Sequence, residues 1–184
     1  MGKIDAASTK PADPAAIALP EGDGIVEAAT FRHVLGHFAS GVTVITALDG
    51  DTPVGFACQS FASLSLDPPL VTFFVAKTST TWPRIRPGGR FCVNVLAEDQ
   101  ERLCRAFAVS GADKFAGVSH APTPTGSPRL ADVLAWIDCT LESVVDGGDH
   151  EIVIGRVQAL DAPRVECAPL LFYKGRFGHP SRNG

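Results

Sequence analysis

GFACQSFASLSLDPPL, residues 55–70, decides how this chain is read. It alternates small and hydroxyl side chains and closes on a proline pair, where a core strand would carry bulky apolar groups. The prolines fix the approach to the apolar run 70–75 and withhold ladder donors there. A second stretch, DGGDHEIVIGRV over 146–157, sets Asp149 and His150 at the mouth of a β-hairpin. Together they predict a β-barrel cradling a planar, phosphate-bearing cofactor with a histidine beside it.

Working outward, the β-branched run Val42–Leu48 predicts a strand. Asp49-Gly50-Asp51 predicts a tight turn, and 53–58 the returning strand. Further strands are predicted over 91–96, 135–145, 151–160 and 170–173. Within 135–145, Ala135, Ile137, Cys139 and Leu141 share one face by the two-residue period. Apolar residues at Phe31, Val34, Leu35 and Phe38 mark a helix, with Thr30 as its N-cap and Gly41 as its stop. Short helices are predicted over 79–85, with Pro83 in the first turn, and over 98–108, where Leu103 and Phe107 lie four apart. Residues 110–129 read as loop around Lys114-Phe115. Seven strands not interleaved with helices exclude a βαβ fold and predict a mainly β protein whose antiparallel strands close into a barrel.

The chain has 184 residues, enough for one domain with a core, and a formal net charge of −4, which argues against nucleic-acid binding. Residues 1–25, rich in Ala, Pro, Asp and Gly, are expected to form a flexible tail, with the domain over 26–178 and a C-terminal tail over 179–184. No apolar run reaches the roughly 20 residues of a membrane span, and the first residues do not resemble a signal peptide. A cytoplasmic location without membrane contact is therefore expected. The five cysteines form no CxxC and suit free thiols in a reducing compartment; no metal site is expected. Rossmann, P-loop, nucleophile-elbow and HExxH motifs are absent from the sequence.

Three groups of residues are candidates for chemistry. Gly55, Phe56, Ala57, Cys58, Gln59, Ser60 and Ser63 form a small-residue wall where a flat ring can approach the backbone, or else a packed strand whose hydroxyls are satisfied locally. Lys77-Thr78-Ser79-Thr80-Thr81-Trp82 combines a cation, hydroxyls and a helix start, which suits phosphate or is simply a hydroxyl-rich N-cap. Trp82 packs on a ligand, a partner or the core. His150 can donate, accept or carry charge beside a ring, or stand as a surface turn histidine. Arg84 and Arg86 could support a phosphate, whereas Arg90 could reach a partner subunit. His33 and His37, four apart, make an incomplete metal site.

The ordered pieces FRHVLGHFASGVTVIT, VGFACQSFASLSLDPPLVTFFV, KTSTTW, GGRFCVNVL, DKFAG, GSPRL, WIDCTL, GGDHEIVIGRV and PLLFYKG run from Phe31 to Gly175. In this order the chain resembles the short-chain flavin reductases, split-barrel NAD(P)H:flavin oxidoreductases that serve two-component flavin monooxygenases. It looks closest to reductase partners of aromatic-ring hydroxylases, including the steroid-phenol type. The resemblance implies a split β-barrel with Greek-key connections, a homodimer, FMN or FAD, and NADH or NADPH with NADH preferred. It implies that residues 55–60 lie along the flavin ring and that Ser60 and Ser63 supply polar contacts. Lys77, Ser79 and Thr81 would face the phosphate, and His150 the nicotinamide. Phe172 and Tyr173 would stand close to the pocket. A flavin-binding barrel with little turnover and a pyridoxamine-phosphate-oxidase-like enzyme are the alternatives.

Overall fold

The computed structural model describes residues 26–111 and 113–180. The tail expected over 1–25, and 181–184 of the second, lie outside the described residues. The elements are α1 (Ala28–Leu35), β1 (Ser40–Gly41), β2 (Thr43–Asp49), β3 (Thr52–Cys58), β4 (Ala62–Leu66), β5 (Pro69–Ala76), α2 (Trp82–Ile85), β6 (Arg90–Val95), α3 (Glu101–Ala108), β7 (His120–Pro122), β8 (Pro128–Leu130), β9 (Ala135–Gly147), β10 (His150–Asp161), β11 (Leu171–Tyr173) and β12 (Arg176–Gly178).

Seven strands form one sheet in the order β3-β2-β6-β9-β10-β5-β4, and its pairings are antiparallel. The chain leaves β5, crosses through α2 and inserts β6 between β2 and β9, so sequence neighbours are not always sheet neighbours, as in a Greek key. The sheet curls until β3 lies beside β5. No ladder joins that pair, so the barrel is split there. The mainly β split barrel expected from the sequence is the fold observed.

Adjacent residues of β2 explain why the β-branched run read there does not alternate apolar with polar. Ile45 packs into a cluster inside the barrel and Val44 into a second cluster outside it; neither is exposed to solvent. A strand buried on both faces does not alternate. Inside, Phe73 stands edge-on to Phe91 at 5.3 Å and to Trp82 at 5.7 Å, an arrangement that aligns ring edges with ring faces. Outside, Phe107 of α3 packs with Leu130, Val133 and Leu170. Gly155 on β10 makes room for the inner cluster, because a Cβ there would stand 2.5 Å from Cζ of Phe91.

Two buried polar side chains order the segment read as loop over 110–129. Asn94 donates to Val44 O (3.0 Å) and the Thr46 hydroxyl (2.9 Å) and accepts from Leu130 N–H (2.8 Å). The Asp138 carboxylate accepts the hydroxyls of Thr123 and Thr125 and the N–H of Thr125. Buried groups that lost these partners would cost about 1–3 kcal/mol each. They hold the small β7–β8 hairpin against the barrel, two strands beyond those predicted.

The first helix differs from its sequence reading. Glu27, not Thr30, precedes its first turn, and it ends at Gly36 rather than Gly41. Phe38 lies beyond it and is 83% exposed, and none of the helix's residues is buried. The chain turns off at Gly36 because its carbonyl accepts from Lys174 N–H at 3.0 Å, fixing the exit toward β1. Likewise, α3 begins at Glu101 rather than Glu98. β4 pairs with β5 across the Asp67–Pro68 turn, and β12 returns from β11; neither was predicted as a strand.

Candidate functional site

The split in the barrel has a local cause. β4 begins to pair with β5 only at Ala62 opposite Thr72, so Phe74 lacks a strand partner on that side. The Ser60 hydroxyl takes the place of the ladder: it accepts from Phe74 N–H (2.8 Å) and donates to Phe74 O (2.9 Å). Its oxygen also lies 3.2 Å from Cys58 Sγ. The Thr43 hydroxyl donates to Cys58 O at 2.9 Å and fixes the end of β3. One serine thus bridges the seam without closing it.

A cavity of about 590 Å³ opens along this seam. Residues 56–60 form one wall and 74–76 the facing wall. Ser79 and His150 stand at one end, and Phe172 and Phe177 come from the β11–β12 hairpin. Cys104 and Ala108 of α3 complete it. The structure therefore brings together Phe56, Ala57, Cys58, Gln59, Ser60, Ser79, His150 and Phe172 from the sequence candidates. Val42, Phe74, Val75, Ala76, Cys104, Ala108 and Phe177 were missed. Phe177 had a signal, since FYKGRF carries a two-residue Lys-Gly turn between aromatics; Lys174 and Gly175 have φ of 49° and 78°. Phe177 packs edge-on to Phe172 at 5.2 Å, beneath the Arg105 guanidinium.

Other candidates lie elsewhere. Gly55 is not vacant for a ligand ring: a Cβ there would meet Ile45 O at 2.7 Å and Cε1 of Phe107 at 2.9 Å, so its space belongs to α3 packing. Trp82 is 4% exposed and sits in the core, with its indole N–H on Glu151 Oε2 at 2.6 Å. Arg86 donates to the other oxygen of Glu151 at 3.0 Å. Thr81 and Gly55 line a neighbouring cavity, and Lys77 and Trp82 a third. Ser63 lies exposed on β4, and Tyr173 lines a cavity of about 710 Å³ with Arg176 and His179. Arg84 pairs with Asp49, and Arg90 donates to Thr125 O.

The helix start after Ser79 offers less than the sequence suggested. α2 is a single turn containing Pro83, and its first N–H groups are spent: Trp82 N–H on the Ser79 hydroxyl, Arg84 and Ile85 N–H on Thr81 O. Lys77 forms an ion pair with Asp146 and donates its N–H to Asp149 O at 3.0 Å. These contacts fasten the 77–79 loop to the tip of the β9–β10 hairpin, where Gly148, at φ 80°, permits a two-residue turn. His150 begins β10 opposite Ala76 and Gly147. Its Nδ1 lies 2.7 Å from Asp149 Oδ1. A carboxylate only accepts, so Nδ1–H donates and Nε2 is the unengaged nitrogen. That hydrogen bond holds the Asp149 carboxyl below the usual carboxylate range.

Two thiols line the seam cavity. Burial pushes the Cys58 thiol up, and burial pushes Cys104 up to about 11. Both stay neutral at physiological pH and present no nucleophile.

Residues 35–181 match the model of the flavin reductase like domain. The chain is 55% identical over 161 residues to the reductase subunit HsaB of a flavin-dependent monooxygenase from Rhodococcus jostii, covering 85% of this chain and 82% of that protein. Among solved structures, nitrilotriacetate monooxygenase component B from Mycobacterium thermoresistibile superposes with a TM-score of 0.81 at 49% identity, over 85% of this chain and 89% of that one. An NADH:FAD oxidoreductase from Streptomyces globisporus, solved with NAD and FAD fragments, gives 0.79 at 34%, over 85% and 94%.

Thiol titration of the native protein with an aromatic disulfide near pH 8 should show one fast thiol, Cys167, the least buried of the five. Cys58, Cys92, Cys104 and Cys139 should react only on unfolding. Rapid native labelling of Cys58 or Cys104 would contradict the buried, neutral state given them here.

Proposed function

This chain belongs to the flavin reductase-like domain family, and on that premise we propose that it reduces FMN or FAD with NADH, using NADPH less well, and releases the product to a separate monooxygenase. The observation that carries the reading is the seam cavity, where an apolar slot beside β3 meets one histidine with a free ring nitrogen. Its walls suit a tricyclic ring. Ala57 and Cys58 are small enough for close approach, while Phe56, Phe74 and Phe172 offer flat apolar surface. Flavin bound there would supply a ring nitrogen that accepts hydride from nicotinamide C4.

The chain's own residues position and shield. Phe56, Phe74 and Phe172 exclude water from the ring face, which strengthens polar contacts at its edge. Neutral Cys58 and Cys104 keep thiolate charge away from a ring that gains electrons. Ser60 holds the two walls at fixed separation through Phe74, so its main work is spacing. The Asp149 carboxylate fixes the His150 tautomer, and Nε2 orients the nicotinamide. Ser79 and Thr81, flanked by Lys77, receive the phosphate end. The proposed oxygenase is an aromatic-ring hydroxylase of the steroid-phenol type, a choice supported by similarity to HsaB.

The proposed assembly is a homodimer. Phe31, Val34 and Leu35 leave an apolar stripe exposed on α1, next to the exposed Phe38. A second copy would cover it. Cytoplasm is the proposed compartment, supported by five unbridged cysteines; among the described residues no helix is long and apolar enough to cross a membrane.

With excess FMN or FAD, the protein should oxidise NADH faster than NADPH. His150→Ala should slow NADH oxidation by about tenfold, the scale of one positioning contact, with flavin affinity retained. Wild-type rates in that variant remove His150 from the reaction, and no turnover in the wild type with any flavin refutes the reductase. Sedimentation should show a dimer that Phe31→Lys with Leu35→Lys converts to monomer; a monomeric wild type contradicts the assembly.

A further inference from the structure

The β11–β12 hairpin gathers positive charge without acid to neutralise it. Leu171, Tyr173 and Phe177 give its cavity of about 710 Å³ an apolar lining, Lys174, Arg176 and His179 add basic groups, and no Asp or Glu borders it. Elsewhere Lys77, Arg84, Arg86, Arg105, Arg156 and Arg164 each pair with a carboxylate. Lys174 instead stands 5.3 Å from the centre of the Tyr173 ring, and Arg176 has no ion pair among the described residues. Arg32 of α1 borders the adjoining groove with Lys174. The acid at this rim, Glu98, stands 3.6 Å from His179 Nδ1. A chain of net charge −4 thus keeps a positive patch.

The hairpin is also an edge. Among the described residues β12 pairs with β11 alone. Phe177 borders both this cavity and the seam cavity, so a group seated in the first braces one wall of the second.

Residues 11–25, outside the described residues, read PADPAAIALPEGDGI: Asp13, Glu21 and Asp23 without Lys or Arg, around apolar Ile17 and Leu19. Nothing in the proposed reaction uses this segment. It joins the start of α1, a helix of 8 residues and so about 12 Å long. The other end of α1 is tied to the hairpin by Lys174 N–H on Gly36 O. An extended chain covers about 3.3 Å per residue, so the stretch from Val26 back to Ile17 reaches about 30 Å, more than the helix length. Exposed ion pairs are individually weak, but a tether raises the local concentration of its own segment, and apolar side chains add burial. A second copy of the hairpin fits poorly, because a two-fold interface sets the patch against itself and its cations repel.

We propose that residues 11–25 dock in the hairpin cavity of their own chain, with carboxylates on Lys174 and Arg176 and with Ile17 and Leu19 on its apolar lining, and so brace the Phe177 side of the seam.

Hydrogen exchange of the full chain, read by mass spectrometry, tests this without any flavin. At low salt, peptides from 11–25 should exchange roughly tenfold slower than a free chain, and about 0.5 M NaCl should remove that protection by screening. Lys174→Glu with Arg176→Glu should abolish it and speed exchange over 171–178, while β2 exchanges as in wild type and reports that the barrel folds. Asp13→Lys, Glu21→Lys and Asp23→Lys should abolish it too, and the two sets combined should restore it. A carbodiimide, which joins an amine directly to a carboxylate, should link Lys174 to Asp13, Glu21 or Asp23 within one chain. Free-chain exchange of 11–25 in the wild type, protection indifferent to Lys174 and Arg176, or links formed only between chains overturns the proposal.

Discussion

The structure turns on a ladder that does not form. β3 and β5 lie side by side, yet one serine side chain, not a row of backbone hydrogen bonds, joins them. Ser60 satisfies both polar groups of Phe74, which would otherwise be an exposed strand edge. A full ladder would bring the strands to about 4.8 Å and leave no slot. A missing bridge would leave the edge unpaired and the wall loose. The hydroxyl at residue 60 gives the intermediate state, a bridged seam with a cavity of about 590 Å³ along it.

The second constraint is the hairpin tip. Gly148 allows a two-residue turn, so β9 and β10 stay paired to Gly147 and His150. Lys77 ties that tip to the loop after β5, and Glu151 ties the next residue inward to Trp82 and Arg86. Residues 150 and 151 point to opposite faces of β10. Glu151 anchors the barrel's end and His150 is left to the cavity. The ion pair between Lys77 and Asp146 is exposed, so its net stabilisation is small, about 0–1 kcal/mol; its role is geometric.

Much of this was legible in the residues. β2, β5 and β6 announced themselves by β-branched and aromatic runs, and β9 by its two-residue period. β4 was not legible from periodicity, because ASLSL places Leu64 and Leu66 in solvent on an edge strand. The stripe on α1 gave helix type but not limits, since Phe31, Val34, Leu35 and Phe38 have no core to face. Of the residues lining the seam cavity, Phe56–Ser60 and His150 were readable. Gly55 was misread because composition cannot tell a glycine vacated for Phe107 from one vacated for a ligand. Trp82 took the core place that is commonest for tryptophan.

A structure of the protein with FMN tests the central claim most directly. The expected result is the isoalloxazine ring between residues 56–60 and Phe74, with His150 at its edge. Density for the ring in the larger cavity beside Tyr173 and His179, with the seam between β3 and β5 closed, would contradict it.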